Sequence, residues 1–407
     1  MRAQGTVTAQ DVVAARQAIA DVVRHTPVLP SPSLSERCGA PVVLKAETLQ
    51  RTGAFKLRGA LAKLHALGDA CAAGVVCGSA GNHAQGVAAA ARARGVRCEV
   101  HMPAEAPLAK VEATVALGAE VVVDGETVEE CVARAQERAA ATGMAFVHPF
   151  DDPEVVAGQG TLGLELLEDV PSLARVLVPV GGGGLASGVA IAVKSARPEV
   201  EVVGVQVDAN APFPASLRAG APVEVAGGMT IADGIAVKRP GGLTLELVRE
   251  WVDDVVVVGE EEVAEAMVHL LERDKLVVEG AGAVGVAALL AGRVQAADAG
   301  MTCVVLSGGN VDAGLLATVA RRHETEAGRR LVVLVRVPDR PGGLVGLLDC
   351  VAQQGANLVD VQHLREGLDL HVRETAVQLV LETRGRDHAE AVLQAVAAAG
   401  WTPRLMA

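Results

Sequence analysis

Short β-branched runs alternate with alanine-rich stretches along most of this chain, and few architectures accept that rhythm. GVVCGS (74–79) gives way to HAQGVAAAARARG (83–95) and then to VRCEVHM (96–102). EVVVDG (120–125) is followed by ETVEECVARAQERAAATG (126–143), and RVLVPV (175–180) by GLASGVAIAVKSA (184–196) and EVVGVQV (201–207). Continuous β-branched runs separated by helices imply strands covered on both faces, so residues of about 10–320 read as an α/β fold with parallel sheets. Ligands of such sheets sit beyond the carboxyl ends of the strands, which singles out the loops there for inspection.

The rhythm changes near residue 320. ARRHETEAGRR (320–330) is charged and poor in apolar residues, so 321–330 reads as a helix end and linker. Beyond it LVVLVRV (331–337) reads as a strand, PDRPGG (338–343) as a turn and LVGLLDCVAQQG (344–355) as a helix. ANLVDVQHLRE (356–366) and ETAVQLVLETR (374–384) alternate like half-exposed strands; DHAEAVLQAVAAAG (387–400) is helical and WTPRLM (401–406) a last strand. The order βαββαβ is the ferredoxin-like split unit, over 331–407.

Several function classes fall away on composition. At 407 residues more than one domain is expected. The net charge of −13 repels phosphodiesters and anionic lipid, and with four Phe, two Trp and no Tyr there is little on which to stack bases, so neither nucleic acid nor a membrane surface is expected as a partner. The seven cysteines show no paired CxxC spacing, which disfavours a zinc site or a disulfide scaffold. MRAQGTVTAQDVVAARQ carries no apolar stretch of the secretory kind, and the apolar run 280–292 is shorter than the ~20 residues of a membrane helix. A cytoplasmic protein is expected.

Four loops carry chemistry. In TGAFKLRGA (52–60), Lys56 follows a glycine turn and opens a helix; a partly desolvated lysine there could attack a carbonyl, although a lysine at a helix start is commonly a plain surface residue. GSAGNHAQG (78–86) offers Ser79, Ala80, Gly81, Asn82 and His83 at a helix start, suited to a carboxylate, or else forms an ordinary strand-to-helix turn with a packing histidine. PVGGGGLASG (179–188) suits a phosphate, but Gly181, Gly183 and Ala186 also mimic a dinucleotide fingerprint, with Asp208 ending the next strand where a ribose ligand belongs. In VVLSGGNVD (304–312), Ser307 is either a ligand to a bound group or a helix N-cap.

Taken together, TGAFKLRGA, SAGNHAQG, GGGGL and SGGN, in that order, resemble the fold-type II pyridoxal-phosphate enzymes, specifically the threonine ammonia-lyases (threonine dehydratases). HTPVLPS (25–31), KAETLQRTG (45–53), TIADGIAV (230–237) and VVEGAGAVG (277–285) extend the resemblance across residues 10–320, and the DRPGGL turn (339–344) resembles that of an ACT domain. The resemblance implies a tryptophan-synthase-β-like catalytic domain over 1–320, with a small subdomain of about 54–150 inserted in it, and a regulatory domain over 331–407. It implies pyridoxal 5'-phosphate as cofactor, joined covalently to Lys56. Phe55 would pack on the cofactor ring, Asn82 would bond its phenolic oxygen, and Ser307 would meet its pyridine nitrogen. Gly181, Gly182, Gly183, Gly184 and Leu185 would hold the phosphate, while Ser79, Ala80, Gly81, Asn82 and His83 would surround the substrate carboxylate.

The implied reaction removes water and then ammonia from L-threonine, giving 2-oxobutanoate, and converts L-serine to pyruvate in the same way. Serine racemases of this fold carry a serine where this chain has Ala80, so racemisation is expected to be minor. The stretch QVDANAPFP (206–214) keeps Asp208 but has Pro212 and Pro214 beyond it, and no metal is expected. A homo-oligomer, dimer or tetramer, is implied, with an amino-acid effector, isoleucine foremost, read by the C-terminal domain near Asp339–Gly343. The alternatives are a serine dehydratase or racemase, a cysteine-synthase-like β-replacement enzyme, an NAD-dependent enzyme, and a sensor without catalysis.

Overall fold

The computed structural model describes residues 6–365 and 370–406, and it divides into two compact units, Met1–Asp312 and Ala313–Ala407. Glu366, the last residue of one expected strand, and the first five residues of the stretch read for a secretory signal lie outside the described residues.

The strands of the first unit are β1 (Val28–Pro30), β2 (Val42–Ala46), β3 (Val75–Gly78), β4 (Cys98–Pro103), β5 (Glu120–Gly125), β6 (Ala145–Phe146), β7 (Leu173–Pro179), β8 (Glu201–Val207), β9 (Asp254–Val258) and β10 (Met301–Leu306). They form a six-stranded sheet in the order β1-β2-β10-β7-β8-β9 and a four-stranded sheet in the order β5-β4-β3-β6. Every pairing is parallel except β1 with β2. Central strands β2, β3 and β4 are buried at every position, whereas the edge strand β5 is mostly half-buried or exposed. Burial on both faces is why β3 is an unbroken apolar run, and in β4 the alternating Glu99 and His101 are buried and bonded to each other.

Two packing features fix the elements around the strand ends. The helix Pro153–Asp169 begins on Asp152, whose carboxylate accepts the Glu154 and Val155 amides, with Pro153 in the first turn. It lies against the helix Gly184–Ala196 so closely that a Cβ at Gly160 would come within 2.7 Å of the Gly188 carbonyl. The helix Lys56–Leu67 is anchored by Arg58, which is fully buried and donates to Glu47 Oε2 at 2.8 Å and Glu165 Oε1 at 2.6 Å. Lys45, also buried, bonds the other Glu165 oxygen at 2.8 Å and Asp169 at 3.1 Å. Removing one partner from such a network strands a buried charge, which typically costs about 3–5 kcal/mol.

The second unit begins with the helix Ala313–Glu326, so most of the stretch expected to be a linker is helical. Its charges occupy a helix surface, with Arg322 and Glu326 paired at 3.2 Å one turn apart. Strands β11 (Arg330–Pro338), β12 (Asn357–Leu364), β13 (Glu374–Glu382) and β14 (Pro403–Leu405) follow, in the antiparallel order β12-β13-β11-β14. Leu331, Val333, Val335 and Val337 alternate onto one face with Val377, Leu379 and Leu381, against Leu347, Val351, Val392 and Val396 of the two helices Gly343–Gln353 and Arg386–Ala398. The two strands expected to be equally half-exposed differ: β13 lies inside the sheet and is mostly buried, whereas β12, on the edge, is exposed at nearly every position.

Candidate active site

A cavity of about 700 Å³ opens where the loops after β3, β7 and β10 converge. Phe55 and Lys56, Ser79 through His83, Gly181 through Leu185, and Ser307 all line it. Loops more than a hundred residues apart are brought together because parallel strands send their carboxyl ends in one direction. The turn before Lys56 is fastened to the loop after β10: Phe55 N donates to the Ser307 carbonyl at 3.0 Å and Gly309 N to the Gly53 carbonyl at 2.9 Å. Gly53 has φ +71°, a conformation that costs glycine little, and a Cβ there would collide with the side chain of Asn310.

Lys56 is the first residue of its helix, half-buried, and its Nζ donates to the Pro149 carbonyl at 2.8 Å, 5.2 Å from the centre of the Phe55 ring. Burial pushes its ammonium down to about 8, against the opposing pull of the Glu279 carboxylate. A carbonyl neither neutralises a cation nor locks it in the charged form. Lys45 and Lys63, its neighbours in sequence, are instead ion-paired, Lys63 with Asp152 at 2.6 Å and Glu154 at 3.1 Å.

The loop after β7 is a cradle that side chains would fill. A Cβ at Gly182 would run into the Phe150 ring, and Gly183, at φ +94°, would place one 2.7 Å from Phe213. The helix Gly184–Ala196 starts there, and the first N–H groups of a helix have no acceptor within it. An anionic phosphate therefore fits this loop, and with an amine of depressed pKa in the same cavity the donor set fits pyridoxal phosphate. Asp208, the ribose ligand of the dinucleotide alternative, does not line the cavity; its carboxylate accepts the Ala209 amide.

In the loop after β3, Asn82 Nδ2 donates to Glu279 Oε1 at 2.6 Å and Asn82 Oδ1 accepts from Asn310 Nδ2 at 2.8 Å. Burial, reinforced by Asp233, raises the Glu279 carboxyl to about 7. His83 Nε2 bonds the Val147 carbonyl at 2.9 Å, and burial drives its pKa to about 3, so it is neutral with Nε2 as donor. His148 is likewise held near 4 by burial, and its Nδ1 accepts the Phe150 and Asp151 amides at 3.2 and 2.8 Å. Ser307 caps no helix, since the next one starts at Ala313. Two ion pairs join further lining residues, Lys110–Asp233 at 2.6 Å and Lys238–Glu129 at 3.3 Å.

Pro149, His148, Glu279 and Asn310 are not singled out by the sequence. Glu279 alone leaves a local signal, a carboxylate inside the apolar run VVEGAGAVG.

The profile of the family described as pyridoxal-phosphate dependent enzyme matches residues 19–308. The L-threonine ammonia-lyase of Thermotoga maritima is 44% identical over 401 residues, covering 98% of this chain and 100% of that protein. The L-threonine ammonia-lyase of Geobacter sulfurreducens is 47% identical over 380 residues, covering 93% and 94%. Among solved structures, a threonine deaminase from T.th. superposes with a TM-score of 0.70 at 43% identity, covering 75% of this chain and 99% of that one. Maize serine racemase gives a TM-score of 0.74 at 35% identity, covering 79% and 98%.

Proposed function

The chain belongs to the pyridoxal-phosphate dependent enzymes, with the fold-type II architecture, and from that premise we propose how its residues deaminate L-threonine to 2-oxobutanoate and ammonia. Pyridoxal phosphate, when bound, supplies the electron sink for breaking the bonds at the substrate's α-carbon. Lys56 would hold the cofactor covalently through Nζ, and the same amine, when free, would take the α-proton of the substrate. A lowered pKa suits both tasks, because each needs the neutral amine near neutral pH. Gly181, Gly182, Gly183, Gly184 and Leu185 would bind the phosphate through backbone N–H groups, Phe55 would pack on the ring, and Asn82 would bond its phenolic oxygen.

Ser307 would bond the pyridine nitrogen. A hydroxyl there would not hold that nitrogen protonated as a carboxylate would, and the chemistry the cofactor would supply is elimination of the β-hydroxyl. Ser79, Ala80, Gly81, Asn82 and His83 hold the substrate carboxylate, with His83 positioning as a neutral group. The released enamine tautomerises and takes up the water lost earlier, giving the oxoacid and ammonia. L-serine gives pyruvate by the same steps.

The observation that carries this reading is Lys56 Nζ, on a carbonyl rather than a carboxylate, in the same cavity as the glycine cradle. The test is product analysis of the holoenzyme with L-threonine, L-serine, and O-acetyl-L-serine plus sulfide. The reading expects 2-oxobutanoate and ammonia in equal amounts from threonine as the preferred reaction. Cysteine formed in preference from O-acetylserine would overturn it in favour of β-replacement.

The second unit, with its βαββαβ order, is the candidate ACT domain, and we assign it the role of reading an amino-acid effector, isoleucine foremost, in a cytoplasmic homo-oligomer. It contributes none of the residues proposed for catalysis, which all precede it.

A further inference from the structure

We propose that Asn310 is a positioning residue for Asn82: its side-chain amide, pinned by the backbone carbonyl of Thr52, fixes which end of the Asn82 amide faces the cavity. The inference rests on the reading that Asn82 bonds the ring of the cofactor.

A primary amide can be inverted end for end with almost no change of shape, so an asparagine that must present a donor needs something to tell its two ends apart. The Asn82 amide has Asn310 Nδ2 at its oxygen, 2.8 Å away, and Glu279 Oε1 at its nitrogen, 2.6 Å away. Glu279 discriminates poorly, because a carboxyl raised to about 7 exchanges between acceptor and donor near neutral pH. The discrimination has to come from Asn310.

Asn310 is itself an amide, and its own orientation is fixed by a group that cannot turn over. Its Nδ2 donates to the Thr52 carbonyl at 2.8 Å, with Gln85 Oε1 further off at 3.4 Å. Inverting Asn310 would set its oxygen against the Thr52 carbonyl, with no hydrogen between them, and would turn an oxygen toward Asn82 Oδ1 as well. A buried acceptor left unmade costs about 1–3 kcal/mol, enough to hold one orientation. The chain of command runs from the Thr52 carbonyl to Asn310, then to Asn82. Glu279 takes one of the two hydrogens on Asn82 Nδ2, and the other remains for what fills the cavity.

The surrounding glycines serve this contact. A Cβ at Gly53 would strike Asn310 Oδ1, and one at Gly308 would strike Glu279 and lie 3.0 Å from Asn82 Nδ2. Glu279 is also held by its backbone, its N–H donating to the Gly308 carbonyl at 3.1 Å. Asn310 thus ties together the loops bearing Lys56, Asn82 and Ser307, although it does not line the cavity.

The test is a double-mutant cycle on the holoenzyme, read by the dissociation constant of pyridoxal phosphate and the absorbance of the bound cofactor. Asn310→Asp keeps the shape of the side chain and removes its donor. We expect it to weaken cofactor retention at least ~10-fold and to shift the bound absorbance, the size of one lost and one reversed hydrogen bond. In an Asn82→Ala background the same change should have little further effect, since the group it orients is gone. Asn310→Ala, which removes the donor without adding charge, runs the same cycle if the aspartate variant does not fold. Unchanged retention and spectrum in Asn310→Asp, or an equal loss with and without Asn82, would overturn the relay. If Asn82→Ala alone leaves retention and spectrum unchanged, the reading of Asn82 on the ring fails instead.

Discussion

The two units bury their strands in opposite ways, and the difference decides where each can hold a ligand. In the first unit the central strands are covered on both faces, so the cavity that can take a ligand lies among the loops at their carboxyl ends. In the second, β11 alternates onto one helical layer and β12 is an exposed edge bearing Leu358, Val359 and Val361, so its described surface offers turns and an exposed edge. A doubly covered sheet concentrates function at one place; a singly covered sheet spreads it along its rim.

The largest effect expected from this contrast is at Lys56. Lys56→Ala should lower the rate of threonine deamination at least ~10³-fold, because nucleophile and base vanish together. Stopping the chain after Asp312 should leave that rate largely intact. Comparable losses from both changes would erase the distinction between the units.

Next comes the pH dependence of cofactor capture by the apoprotein. With the ammonium of Lys56 depressed to about 8, the neutral amine is the major form above that pH and is lost as pH falls below it. At pH 7 the neutral fraction should exceed that of an ordinary lysine by roughly 300-fold. Stopped-flow capture rates should rise about tenfold per unit and level off near pH 8; a rise continuing beyond about pH 9 would contradict a lysine held by burial without a carboxylate partner.

A smaller effect belongs to the second unit. Saturating isoleucine should move the apparent threonine affinity of the full chain by roughly 5–150-fold, and truncation after Asp312 should abolish the response. A truncated enzyme that still responds would place the effector site in the first unit. The smallest effect is at Ala80, which has no proton to give to the opposite face of the substrate. Ala80→Ser should raise D-serine formation from L-serine above the trace expected of the unaltered enzyme, as chiral chromatography would show. Rapid racemisation by the unaltered protein would contradict this.

How much of this is legible in the sequence follows the same division. Glycines 53 and 181–184 announce themselves because backbone geometry and close approach demand them, and the residues beside them can be found by their place after a strand. The Pro149 carbonyl under Lys56 cannot, since any residue supplies a carbonyl and only the fold brings position 149 to position 56. Asn310 sits inside a recognised motif, but its contact with Asn82 spans 228 residues and leaves no local periodicity. The stretch 320–330 reads as a linker because a solvated helix surface and a charged tether have the same composition, and only pairing one turn apart, as in Arg322–Glu326, separates them.

The most direct test is borohydride reduction of the holoenzyme followed by peptide mapping. Burial lowers the Lys56 ammonium to about 8 and its Nζ meets a carbonyl, while Lys45 and Lys63 are ion-paired with carboxylates. The expected result is a single pyridoxyl group on Lys56, with activity lost in proportion to its formation. A pyridoxyl group on Lys45, Lys63 or any other lysine would contradict the assignment on which the site is built.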